Sequence, residues 1–295
     1  MKNILFVVLA FWAGCTRACD ICGCTSSPGA MGLLPRMSGH FAGVRSMYAR
    51  YESKPHSSEP RVEDAILSYE ILGRYLITPN WVVTASLPFQ SVFRKAEGSR
   101  TQYHQLGDAS LMLGYLYSFK SGRSGRDHTL YAAAGIKLPT GSAALVKDGN
   151  LLPPGLQPGS GSVDWIFMMA WNQFGKSFGM GAESSFRLAR PNSDHYSLGN
   201  RFGAAAKTYY KLPWIAQDVW ASLGLDAELT TPDLRFGEAV DQTGGKALLM
   251  NCGLNFLNHH GLNLGLYGQI PLAQNLNNGF TRSSVRAGLQ FFYFF

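Results

Sequence analysis

Three thiols fall within six residues at Cys19-Asp20-Ile21-Cys22-Gly23-Cys24. Thiolate is a soft, strongly donating ligand, so this spacing can converge on a soft cation such as Cu(I) or Zn²⁺. Gly23 lets the backbone fold tightly enough for Cys22 and Cys24 to share one ion. His40 or Asp20 is the candidate fourth ligand. A second chemistry fits the same residues: in an oxidising compartment Cys19 and Cys22 pair as a disulfide and leave Cys24 over. Lipidation of one member is a third. The spacing leaves all three open, because two CxxC halves would mark a metal site and only one and a half are present.

The residues before the thiols bear on the compartment. Lys2, the apolar stretch Ile4–Ala13 and Thr16-Arg17-Ala18 read as a basic start, an apolar core and a small-x-small cleavage site. Residues 1–18 are then a signal peptide, with Cys19 first in the mature chain. Ala13-Gly14-Cys15 is a rival, resembling the end of a lipobox that would acylate Cys15. Either way the chain leaves the cytoplasm. Residues 19–39, with Pro28, Gly29, Gly32 and Pro35 and no strand alternation, form a Cys-rich tether or plug ahead of whatever begins at residue 40.

A second set of chemically capable residues is charged and regularly spaced. Arg45, Glu70, Arg74, Asp108, Lys137, Asp164, Glu183, Arg187, Arg201, Lys207, Asp226, Glu228 and Arg286 each sit in a segment where apolar and polar residues alternate. In Val219-Ala221-Leu223-Leu225-Ala227-Leu229, for example, the interleaved positions are Trp220, Ser222, Gly224, Asp226 and Glu228. Period two means strand, and a charge on the lipid side of such a strand costs about 2–4 kcal/mol at mid-membrane. The apolar set therefore faces lipid and the charges line a lumen.

Twelve such segments occur, at 40–51, 62–77, 81–93, 108–119, 128–138, 163–174, 177–188, 200–212, 218–230, 246–257, 261–270 and 283–295. The gaps between them alternate long and short. Long outer loops, short inner turns and an even strand count are what a transmembrane antiparallel β-barrel requires. The longest gap, 139–162, is placed outside the cell. Composition agrees: the chain is 46% hydrophobic and 13% aromatic but only 15% charged, against about 25% charged in soluble domains. Mean hydropathy is only −0.04, so the apolar residues are diluted rather than blocked. Ile4–Cys15 is too short to span a bilayer as a helix, which needs about 20 residues.

These observations predict an all-β transmembrane barrel of about 12 strands over residues 40–295, integral to a Gram-negative outer membrane. The expected partners are the lipid bilayer, the barrel-assembly machinery and a small solute or metal ion. The alternation Val285-Ala287-Leu289-Phe291-Tyr293-Phe295 resembles the C-terminal strand by which outer-membrane barrels are recognised for insertion. No Lys/Arg cluster exists, so nucleic acid is not expected as a partner. The expected function is a transporter or channel for a small solute, with a link to copper or another soft metal through Cys19, Cys22, Cys24 and His40. Copper or zinc is the only cofactor expected. The alternatives are a metal-binding barrel whose Cys cluster is the working part, and a rim-located enzyme. His104, His128, His195, His259 and His260 are available for the latter, but no serine nucleophile elbow accompanies them, so no catalysis is expected.

Three blocks carry a resemblance. Leu106-Gly107-Asp108-Ala109, Gly135-Ile136-Lys137-Leu138-Pro139-Thr140-Gly141 and Gln157-Pro158-Gly159-Ser160-Gly161-Ser162-Val163-Asp164 are similar to the corresponding blocks of outer-membrane transporters grouped with the phenol-degradation meta-pathway barrels. The Cys-Asp-Ile-Cys-Gly-Cys start resembles a subset of these associated with copper handling. The resemblance implies the barrel type and not a solute. Pro139 halts ladder donation at the end of its segment and Gly141 permits the turn. This stretch and Gln157–Ser162 are both able to fold inward as a constriction.

Overall fold

A strand whose side chains alternate between two solvents satisfies its backbone only through its neighbours, and in lipid that ladder must close on itself. A computed structural model describes residues 39–53, 61–96, 99–121, 125–147, 150–152, 154–214 and 218–295. Its strands, in chain order, are β1 (Phe41–Ser53), β2 (Val62–Leu76), β3 (Trp81–Ala96), β4 (Ser99–Leu106), β5 (Ser110–Lys120), β6 (Asp127–Lys137), β7 (Val146–Lys147), β8 (Asn150–Leu151), β9 (Asp164–Phe174), β10 (Phe178–Leu188), β11 (Tyr196–Ser197), β12 (Arg201–Lys211), β13 (Asp218–Thr230), β14 (Leu234–Arg235), β15 (Glu238–Ala239), β16 (Gly245–Leu257), β17 (Leu262–Leu276) and β18 (Thr281–Phe294). Twelve of them, all but β4, β7, β8, β11, β14 and β15, pair antiparallel in sequence order. β1 closes the ring on β18, with Phe41 opposite Phe294 and Ser53 opposite Thr281.

Burial is inverted relative to a soluble protein. Val44, Ile71, Leu113, Leu225, Leu266 and Leu289 are exposed on the outer face, while Arg45, Glu70, Lys137, Lys207, Asp226 and Arg286 are buried on the inner one. Rings collect on the outer face near the short-turn end: Tyr75, Trp81, Tyr115, Tyr117, Tyr210 and Tyr293 are all exposed there. Trp81 and Tyr115 meet edge to face at 5.2 Å. This is the aromatic girdle of a bilayer interface. Cys252 also lies exposed on the outer wall, as a free thiol.

Two of the expected gaps are not loops. The stretch after residue 93 continues as strand to Ala96, and Ser99–Leu106 returns along it as β4, pairing Ala96 with Ser99 and Phe89 with Leu106. Likewise β17 runs on to Leu276 and β18 begins at Thr281, leaving only a 3₁₀ turn at Asn277–Gly279. The apolar–polar pattern stops there because residues such as Arg100, Gln102, Gln274 and Asn275 are polar on either face. The ladder persists in spite of that, since hydrogen bonding does not require a lipid-facing side. The remaining long gaps fold into small pieces: β7 pairs with β8, and β11 with β14 and β15.

One inner-wall contact requires a glycine. A Cβ on Gly288 of β18 would lie 2.2 Å from Tyr267 Cζ and 2.7 Å from the Ser46 carbonyl oxygen. The missing side chain lets the Tyr267 ring lie flat across β18, where its hydroxyl donates to Ser46 O on β1 at 3.4 Å.

Candidate functional site: the lumen

The three resembling blocks, far apart in sequence, converge at the long-loop end. Lys137, the last residue of β6, donates to Asp108 Oδ2 at 2.5 Å and forms an ion pair with Asp164 Oδ2 at 3.0 Å. It also bonds the Ser160 hydroxyl. Asp108 in turn accepts from the backbone N–H of Gly141 at 3.0 Å and of Ser160 at 2.9 Å. Asp164 accepts from the Ser162 hydroxyl at 2.9 Å and from the Arg190 N–H at 3.0 Å. One buried ammonium thus ties both ends of the 138–163 loop to the wall. Removing one partner of such a buried pair leaves an uncompensated charge, at a cost of about 3–5 kcal/mol.

Held by that latch, the loop turns into the mouth. Leu152 and Leu156 pack against Ala49, Tyr51, Ile66, Val92 and Tyr103. The Tyr103 hydroxyl donates to Leu156 O at 2.8 Å. Gln157 braces the loop from inside: its Oε1 accepts from Leu145 N at 2.9 Å and its Nε2 donates to Leu152 O at 2.8 Å.

Below this cap a belt of charges crosses the lumen. Arg45 pairs with Glu70 on the adjacent strand. Lys207 Nζ lies 3.6 Å from Glu183 Oε1, and Arg286 holds Glu228 through two hydrogen bonds of 2.8 and 3.1 Å. Asp226 Oδ2 accepts from Asn251 Nδ2 at 2.9 Å and from Gln269 Nε2 at 2.6 Å. Toward the short-turn end the wall turns aromatic. Phe41, Phe292 and Phe294 form one cluster and Phe174, Tyr209 and Trp220 another. Arg74 there lies 4.7 Å above the Phe41 ring and donates to Gly39 O at 3.1 Å.

The expected lumen residues occur on inward strand positions, except Asp108, which is buried in the connection ahead of β5. Arg187 is ion-paired at the edge of the latch, 4.0 Å from Asp164, and Arg201 lies opposite it in register. Charge at period two was the signal, and it does not reach the residues of the cap. Asp64 occupies an inward position of the alternating 62–77 segment without standing out there, and Asp233 and Asn277, which also line the mouth, are isolated polar residues in stretches without alternation.

Of the expected metal residues only His40 belongs to the described part. Cys19, Cys22 and Cys24 lie outside the described residues. His40 Nδ1 accepts from Leu76 N at 3.1 Å, and its ring stacks between Tyr75 at 4.7 Å and Phe295 at 5.7 Å. Among the described residues no group of three or more His, Cys, Asp or Glu side chains could hold a metal ion. Of the histidines considered for rim chemistry, His104 shares a hydrogen bond with Ser91 at 2.7 Å and another with Gln102 at 2.8 Å, on the outer face of the β3–β4 hairpin.

No family model matches the chain, and no curated protein matches it. Among solved structures, an outer-membrane channel from Pseudomonas putida F1 superposes with a TM-score of 0.61 at 14% identity, covering 88% of this chain and 96% of that one. The β domain of the Bordetella autotransporter BrkA follows with a TM-score of 0.45 at 11% identity, covering 87% and 100%. The first likeness is one of fold, and it agrees with the lipid-facing exterior and the closed ladder: the chain is an integral outer-membrane β-barrel.

Proposed function

We propose that the protein is an outer-membrane channel or transporter for a small solute, with the long loops facing outside the cell and the short turns facing the periplasm. The observation that carries this reading is the lumen itself, a closed wall lined with paired charges and capped by an inward loop held on a single ammonium. Twelve strands enclose a bore wider than the side-chain-filled eight-strand case and narrower than a 16-strand porin. The paired charges keep that bore wet without giving it one dominant sign. The Pseudomonas neighbour is itself described as a channel, which supports the reading by analogy of fold. Planar-bilayer recording on refolded protein tests it. Discrete conductance steps, with flux of small solutes into liposomes, are expected; a barrel that inserts and stays electrically silent overturns the proposal.

A further inference from the structure

Where the inward loop meets the opposite wall it leaves a cavity of about 200 Å³ at the long-loop mouth, lined by Asp64, Arg94, Leu156, Asn277 and Phe280 among others. Stretches far apart in sequence contribute to it: the ends of β1, β2 and β3, the 3₁₀ turn at Pro154–Leu156, β11, the 231–244 loop and the turn at Asn277–Gly279 with the start of β18. Asp64 is 1% exposed, yet its Oδ1 has no hydrogen-bond partner. Arg94 Nε lies 3.8 Å from it, an ion pair too long to be a hydrogen bond. Asn277 Oδ1 is also buried without a partner, because that side chain uses its Nδ2 to reach the Thr281 hydroxyl. A buried acceptor left unmade costs about 1–3 kcal/mol, and here two of them line one cavity.

The other carboxylate in the lining is already committed. Asp233 accepts from the Tyr196 hydroxyl at 2.5 Å and from Gly199 N at 2.7 Å, which fastens the 231–244 loop over the site. The charged groups of the lining, Asp64, Asp233 and Arg94, leave one net negative charge. An occupant must therefore bring hydrogen-bond donors, preferably more than one from a single atom, and positive charge. A hydroxyl offers one donor and a primary ammonium offers three. Leu156 and Phe280 provide the apolar side, and 200 Å³ is room for about seven water-sized groups.

We propose that this cavity is a binding subsite for a small primary amine, whose ammonium bridges Asp64 and Asn277 while a short apolar body lies against Leu156 and Phe280. The proposal rests on reading the barrel as a solute channel and gives that channel an entry site. It is tested on full-length refolded protein in detergent by calorimetry with pentylamine, pentanol and pentanoate, three probes alike in size and different in charge. Pentylamine is expected to bind, with pentanol at least about tenfold weaker and pentanoate absent. Asp64→Asn should reduce pentylamine affinity about tenfold, and Asn277→Asp should increase it; the two together keep the test valid if one variant fails to refold. Equal binding of pentanol, binding of pentanoate, or pentylamine affinity indifferent to both variants overturns the subsite. Conductance recorded on the same preparations separates the two readings: a conducting barrel that does not prefer pentylamine sinks only the subsite, and a silent barrel that binds it sinks only the channel.

Discussion

Arg45 on β1 and Glu183 on β10 sit on strands six steps apart in either direction around the ring, yet their charges are close enough to interact across the lumen. Each also has a partner on its own wall, Glu70 for Arg45 and Lys207 for Glu183. The four groups therefore form a bar of alternating sign across the full width of the barrel. A solute crossing the lumen meets this bar and must pass beside it or displace its members.

The bar should set the conductance. Replacing both members of one local pair, Arg45→Ala with Glu70→Ala, avoids stranding a buried charge and should raise single-channel conductance by roughly twofold or more. Arg45→Ala alone should conduct similarly but unfold at lower temperature, read as the point at which the barrel loses its fast migration on a detergent gel. Unchanged conductance in the double variant would place the constriction elsewhere, with the Leu152–Leu156 cap as the next candidate.

The latch makes a different prediction. Lys137→Met keeps the unbranched shape of the side chain, one atom shorter, and removes its charge, leaving Asp108 and Asp164 without the ammonium between them in a buried site. A loss of about 3–5 kcal/mol is expected. It should appear locally, as faster proteolysis within 138–163 on intact cells and as flickering between conductance levels. A variant as protease-resistant as the parent would show that the apolar contacts of Leu152 and Leu156 hold the loop without the ammonium.

Packing on the inner wall offers a third. A methyl group at Gly288 collides with the Tyr267 ring, so Gly288→Ala should cost about 1–3 kcal/mol. Tyr267→Leu in the same chain removes the ring and should restore part of that loss, leaving the residual clash with Ser46 O. If the two substitutions simply add, the ring is not what excludes the methyl group.

The barrel was legible because two solvents impose two alphabets on one strand: Leu223 and Leu225 on one side, Asp226 and Glu228 near them on the other. Strand boundaries were legible only where both solvents were present. Above the bilayer both faces meet water, so β4 and the ends of β17 and β18 carry no alternation and read as loop. The latch was half visible. Asp108, Lys137 and Asp164 stood out as inward charges, but their meeting depends on the register of β5, β6 and β9, which pairs Ser110 with Lys137 and Lys137 with Asp164. The mouth cavity was invisible, since Asp64, Asp233 and Asn277 are joined only by the way the loops fold.

The N-terminal thiols carry the last prediction. Cys19, Cys22 and Cys24 are soft donors that carboxylates of the lumen do not rival for Cu(I). The barrel limits what they can recruit. His40 stands at the short-turn rim where the strand wall begins, and its Nδ1 is taken by Leu76 N, so only Nε2 can serve as a ligand. Protein refolded under reducing conditions and loaded with Cu(I) should bind one equivalent that is lost in a Cys19→Ser/Cys22→Ser/Cys24→Ser variant. His40→Ala should weaken binding without abolishing it, and should also loosen the rim, because the ring stacks on Tyr75 and Phe295. Undiminished copper in the triple variant refutes thiolate binding. A Cys19–Cys22 disulfide in protein extracted from cells, found by mass spectrometry, would assign the same residues to the oxidative alternative.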